Sequence, residues 1–374
     1  MSFPWLLRAA RPAIFKPSWY SAHSTHLSGR HMASRDTSDS SDTLAGLHLT
    51  DPRRRTLLKA AAASAATLAG GALFTAQRAQ AQTPSNGKTL RIGFQKYGNF
   101  VILKARGTLE KRLAAQGASV QWLEFPAGPQ LLEGLNAGAV DVGTVGETPP
   151  IFAQAAGVDF VYIANELPAP KGEAIVVPHD SPIRSVADLR GKKVALNRGS
   201  NVHFLLVKAL QHAGLSYADI QPVFLTPADA RAAFVQNSID AWVIWDPYLA
   251  AIERQANARV ITNGEGLVHN TQYYLAARKF ADAQPQLLRE LLAELDQVDR
   301  WSRDHIPAAA SQLSPLVGLD APTLELALNR ASYGVQHIDA ATLDYQQQIA
   351  DTFTELKLIP KKLVVADAKW RVAA

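Results

Sequence analysis

The chain has 374 residues, of which 47% are hydrophobic, with two Met and no Cys, so disulfides and thiolate metal sites are excluded. Its net charge of +5 is unevenly placed: ten Lys or Arg and four Asp or Glu precede Gln82, leaving 28 against 29 in the remainder. The basic balance belongs to the N-terminal segment, which removes the electrostatic support for a nucleic-acid partner.

Residues 1–81 read as an N-terminal extension and export signal rather than part of the fold. Arg53-Arg54-Arg55-Thr56-Leu57-Leu58-Lys59 carries a twin-arginine pair, an Ala-rich run follows to Phe74, and Ala79-Gln80-Ala81 supplies a small-residue cleavage pattern. The run from Ala60 to Ala76 falls short of the ~20 strongly apolar residues of a spanning helix. The expectation is twin-arginine export to the periplasm with cleavage after Ala81. Met1 and Met32 both lie upstream of that point, so the exported product contains no sulfur, a composition suited to a protein made under sulfur shortage.

From Gln82 onward, short apolar runs alternate with helix-like segments. Leu90 to Phe94, Val120 to Phe125, Val140 to Val145, Phe160 to Ala164 and Ala174 to Val177 read as strands. Helical spacing occupies Leu103 to Gln116, Gln130 to Asn136 and Pro149 to Ala156. A second cycle follows Pro178, with strands at Lys193 to Leu196, Val223 to Leu225, Ala241 to Ile244 and Val260 to Thr262. Its helices are Asn201 to Ala213, Pro227 to Gln236 and Asp246 to Gln255. Tyr274 to Ala277 reads as a returning strand, followed by helices Pro285 to Asp304, Ala321 to Arg330 and Ala341 to Leu356. This pattern predicts an α/β protein of two lobes: residues 82–177 as the first part of lobe 1, 178–272 as lobe 2, and 273–374 as the return to lobe 1. Two chain crossings make a hinge.

Six stretches carry a family resemblance: Ile92-Gly93-Phe94-Gln95-Lys96-Tyr97-Gly98-Asn99, Gly134 to Gly143, Thr148 to Ala155, Asp188 to Val194, Gly199 to Leu206, and Ala241-Trp242-Val243-Ile244-Trp245-Asp246-Pro247-Tyr248. In this order they resemble the aliphatic-sulfonate branch of periplasmic solute-binding proteins serving ABC importers, a type II two-lobed fold. Taurine, nitrate and thiamine-precursor receptors share some of these elements. The resemblance implies a monomeric receptor that captures an organosulfonate anion and delivers it to an ABC permease with a cytoplasmic ATPase, without a cofactor. Relatives of this branch commonly carry Asp-Phe-Tyr-Leu-Ala where this chain reads Gln272-Tyr273-Tyr274-Leu275-Ala276, a departure that removes an acid.

Candidate ligand residues are those that follow a strand and open a helix, where free N–H groups and a positive dipole end accumulate. They are Gln95, Gly98 and Asn99 after the first strand, Glu147 and Thr148 after the third, and Gly199, Ser200 and Asn201 before the helix at Val202. A sulfonate is a monoanion with three acceptor oxygens, so Thr148, Ser200 and Asn201 are the expected donors around it, with Gln95 reaching from the hinge side. Trp245 is the aromatic surface for an apolar tail. Glu147 and Asp246 are the carboxylates available to an ammonium such as that of taurine, although Asp246 also suits a helix cap. Catalytic motifs are missing: there is no His-Glu-x-x-His, Gly-x-Ser-x-Gly or phosphate loop. The enzymatic alternative on this fold is a pyrimidine-precursor synthase, whose Cys-rich iron-binding segment has no counterpart here.

Overall fold

The computed structural model describes residues 88–371 other than Tyr97. The export segment read over residues 1–81 lies outside the described residues, as does Tyr97. The chain begins with β1 (Thr89–Phe94), α1 (Asn99–Arg106), α2 (Thr108–Ala114), β2 (Ser119–Glu124), α3 (Gly128–Asn136), β3 (Val142–Val145), α4 (Pro149–Ala155) and β4 (Phe160–Asn165). It crosses into β5 (Glu173–Val177), β6 (Lys193–Leu196), α5 (Asn201–His212), β7 (Gln221–Phe224), α6 (Pro227–Val235), β8 (Ala241–Trp245), α7 (Tyr248–Ala256) and β9 (Arg259–Asn263). A second crossing leads to β10 (Tyr273–Ala277), α8 (Arg278–Ala283), α9 (Pro285–Asp304), α10 (Ile306–Val317), α11 (Ala321–Arg330) and α12 (Ala340–Glu355).

The strands form two five-stranded sheets, ordered β2-β1-β3-β10-β4 and β7-β6-β8-β5-β9. β1 runs parallel to β2 and β3, and β6 runs parallel to β7 and β8. Each sheet also takes one antiparallel strand from the segment that has just crossed: β10 between β3 and β4, and β5 between β8 and β9. The interior strands β5 and β8, and β4 at the edge of its own sheet, are buried along their whole length, as strands covered on both faces must be, and their sequences are correspondingly near-continuous apolar runs.

Two expectations require correction. Ala174 to Val177 was assigned to the first lobe, yet β5 pairs with β8 and β9, so the second sheet starts at Glu173 and the first crossing lies between Asn165 and Glu173. An apolar run identifies a strand but not its sheet. The helix expected over Leu103 to Gln116 is two helices, because Gly107 adopts a left-handed φ of 61° and donates its N–H to the Leu103 carbonyl at 3.1 Å. Two further helices, α8 and α10, have no counterpart in the sequence reading; Pro307 and Pro315 in α10 obscure its periodicity.

One apolar core, including Leu90, Ile92, Leu103, Tyr274, Leu288 and Leu291, lies between the first sheet and α9. The other joins the second lobe to the opposite face of the first through Tyr162, Tyr273, Ile349 and Phe353. The C-terminal helix α12 thus belongs to the core of both lobes.

Candidate functional site

The parallel strands end at Gln95, at Gly146-Glu147-Thr148, around Asn197 to Asn201, and at Trp245-Asp246. Ligands in open α/β sheets bind beyond such ends. Two of them, one from each lobe, touch directly. A Cβ on Gly146 would lie 2.9 Å from the Asn201 Cβ, and Gly199, at φ 74°, lies against the Phe152 ring of α4. The starts of α4 and α5 therefore face one another, and α5 brings its first-turn N–H groups and positive dipole end to the contact, whereas α4 opens on Pro149 and Pro150, which have no N–H, and presents the Thr148 side chain instead.

Thr148 is the N-cap residue of α4 and is fully buried, and its Oγ1 has no hydrogen-bond partner among the described residues. Leaving such a group unpaired costs about 1–3 kcal/mol, which an incoming acceptor would recover. Ser200 and Asn201, expected to be donors to the ligand as well, are engaged within their own lobe. Ser200 Oγ donates to the Asn197 carbonyl at 2.7 Å, and Asn201 Nδ2 donates to Glu173 and, at 2.9 Å, to Asn270 Oδ1. Gly199 gives its N–H to His203 Nδ1 at 3.2 Å. His203 is itself buried, bonded through Nε2 to the Tyr217 hydroxyl, and kept neutral because burial, aided by Arg198, pushes its pKa down to about 3.

The turn after β1 departs further from expectation. Gln95 Nε2 donates to the Thr144 carbonyl at 3.1 Å, bracing β1 against β3. Gly98, at φ 80°, shapes the entry to α1. Asn99 opens that helix, so its buried amide points away from the cleft and bonds Glu166 and Asp299 in a network that includes the Tyr274 hydroxyl. The Asn99 side chain is thus engaged in α1 packing rather than free for a ligand, while the space beside Gly98 is open. Asp246 is also committed elsewhere: its Oδ1 accepts the Ala250 N–H at 2.9 Å at the start of α7 and faces Arg330 at 3.6 Å. Oδ1 thus serves the start of α7, while Oδ2 has no hydrogen-bond partner among the described residues. Trp245 is buried at the end of β8, its ring edge-on to Tyr248 at 6.2 Å.

Glu147 is completely buried; Oε2 accepts the Thr271 N–H at 3.0 Å and Oε1 lies 3.5 Å from the Tyr345 hydroxyl. Glu173, also completely buried, accepts from Asn201 through Oε2, while Oε1 has no partner. Burial pushes Glu147 up to about 8 and Glu173 well above the ordinary carboxylate range, the latter also through repulsion from Glu147. Glu173, Asn270, Thr271 and Tyr345 escaped the sequence reading, being a strand start, a crossing and a distant helix. The one available clue was Glu173 itself, an acid heading a continuous apolar run. Among the described residues no group of three or more His, Cys, Asp or Glu could hold a metal ion, and no helix is long and apolar enough to cross a membrane.

Two α/β lobes, joined by two crossings and meeting at the strand ends and helix starts of both, define a two-lobed binding protein of the periplasmic type. The NMT1/THI5-like family matches residues 113–301. An Escherichia coli (strain K12) relative named for aliphatic sulfonate binding is 44% identical over 289 residues, covering 77% of this chain and 90% of its own. The alkanesulfonate-binding protein SsuA of Xanthomonas axonopodis pv. citri, solved bound to MOPS, is 41% identical with a TM-score of 0.73 over 76% of this chain and 98% of that one. The periplasmic aliphatic sulphonate binding protein SsuA of Escherichia coli gives 44% identity and a TM-score of 0.70 over 76% and 92%. The chain belongs to the aliphatic sulfonate-binding protein family.

Proposed function

We propose that this protein is a periplasmic receptor that closes its two lobes on an aliphatic sulfonate and delivers it to an ABC permease driven by a cytoplasmic ATPase. The observation that carries this reading is Thr148: a buried hydroxyl without a partner, at the start of α4, where the N-terminus of α5 comes up from the other lobe. Converging N–H and hydroxyl donors bind a monoanion without a full counter-charge. Trp245 and Tyr248 offer aromatic surface at the end of β8 for the apolar tail. The protein acts as a carrier and not as a catalyst, is exported by the twin-arginine route with cleavage near Ala81, and works as a monomer. Isothermal titration of the purified chain with ethanesulfonate tests the reading: saturable one-to-one binding is expected, and no heat at any concentration removes it.

A further inference from the structure

Glu147 lies in the turn after β3 in one lobe and Glu173 begins β5 in the other, both completely buried and close enough to repel each other. The groups packed against them are neutral: the Asn201 amide from α5, Asn270 and Thr271 from the return crossing, and the Tyr345 hydroxyl from α12. Tyr273 of β10 also faces Glu147, and His269, stacked 3.7 Å over Tyr345, is held neutral by burial. Among the described residues neither carboxyl group has a Lys, Arg or His ion-pair partner; Lys171, two residues before Glu173, pairs with Glu265 instead, and Arg330 pairs with Asp246 and Glu253.

This arrangement sits beside the donors of the anion site. Sulfonate and sulfate offer those donors the same S–O acceptors and differ in a second negative charge. Resting on the receptor reading above, we propose that Glu147 and Glu173 are specificity-determining residues, which admit the single charge of a sulfonate to the closed cleft and exclude dianions such as sulfate. Like charges that cannot be screened by water repel strongly in a dry site, and the unpaired Glu173 Oε1 leaves that repulsion uncompensated. The raised pKa values agree with this: burial moves both carboxyl groups toward the protonated form, and one proton shared by the pair leaves it the single negative charge that repels a dianion, whereas carboxylates reached by water in an open cleft ionise fully. Closing on a sulfonate then takes up a proton. Closing on sulfate requires a further one.

The test is calorimetric titration of the purified full chain with ethanesulfonate, sulfate and taurine at pH 6, 7 and 8, in buffers of different ionisation enthalpy, with Glu147→Gln and Glu173→Gln alongside. Proton uptake with ethanesulfonate is expected, together with affinity that falls as pH rises and a preference over sulfate that drops at least tenfold in one of the two variants. Ethanesulfonate binding without proton uptake overturns the inference on the wild-type chain alone, and unchanged discrimination in both folded variants does the same. Taurine bound more tightly than ethanesulfonate, with the difference lost in the variants, also overturns it, since the pair then holds an ammonium. Absence of binding by every sulfonate is a distinct result that takes the receptor reading down with it.

Discussion

The Phe353 ring of α12 packs edge-on against Phe152 of α4 at 5.0 Å, and the same ring lies 6.1 Å from Phe204 of α5. The C-terminal helix therefore anchors to helix-starting segments of both lobes, and Phe353 is completely buried between them. Phe353→Ala should destabilise the chain by about 3–5 kcal/mol, the cost of a large buried aromatic and its cavity. Denaturant unfolding checks this; a loss below 1 kcal/mol would show that the ring is not part of a shared core.

Removing the Thr148 hydroxyl should separate binding from folding. Because Oγ1 has no protein partner, Thr148→Val removes an unpaired buried hydroxyl and should raise unliganded stability, by up to about 1–3 kcal/mol, while weakening sulfonate binding by a similar amount, with Thr148→Ser restoring most of it. Titration calorimetry beside thermal unfolding measures both. Equal sulfonate affinity in Thr148→Val and wild type means that the donor lies elsewhere.

Closure depends on the missing side chain at Gly146. In Gly146→Ala, a Cβ 2.9 Å from that of Asn201 should hold the lobes apart. Small-angle scattering should show ligand-induced compaction in wild type and little in the variant, whose affinity falls in parallel. Normal compaction in the variant contradicts the closed contact.

Several buried acids set the pH profile of stability. Burial raises Glu147 to about 8 and Glu166 and Asp246 to about 7. Folding favours their protonated forms, so the stability they contribute is full below the ordinary carboxylate range and is lost as pH climbs through about 7 to 8. The exposed capping acids Asp188, Asp219, Asp320 and Asp339 are shifted down by the hydrogen bonds they accept, and their contribution is lost on acidification instead. The two groups cross over in the ordinary carboxylate range, so maximum stability is expected at about pH 4. Glu166→Gln should flatten the decline toward pH 8, and a profile that rises steadily from pH 5 to 8 contradicts the assignment.

The alternation of apolar runs and helical segments made nearly every strand legible, and Pro285 to Asp304 and Ala321 to Arg330 match α9 and α11 to the residue. Sheet membership was not legible at Ala174 to Val177, because burial on both faces looks the same in either lobe. At the candidate site, the position of Thr148 at the start of α4 was readable from the Pro149-Pro150 that follows it. The true bonds of Ser200, Asn201 and Asn99 were not, since a polar residue at a helix start can turn toward a ligand, a cap or a neighbouring carboxylate, and only tertiary packing chooses. Glu173 met Glu147 across 26 residues of sequence and a lobe boundary, a pairing that local periodicity does not encode.

Thermal unfolding of the purified chain against a panel of anions tests the central claim most directly. Methane-, ethane- and longer alkanesulfonates at about 100 times their dissociation constants should each add ~2.7 kcal/mol to stability, with sulfate and nitrate adding little. No stabilisation by any sulfonate, beside a clear response to nitrate or to a thiamine precursor, would contradict it.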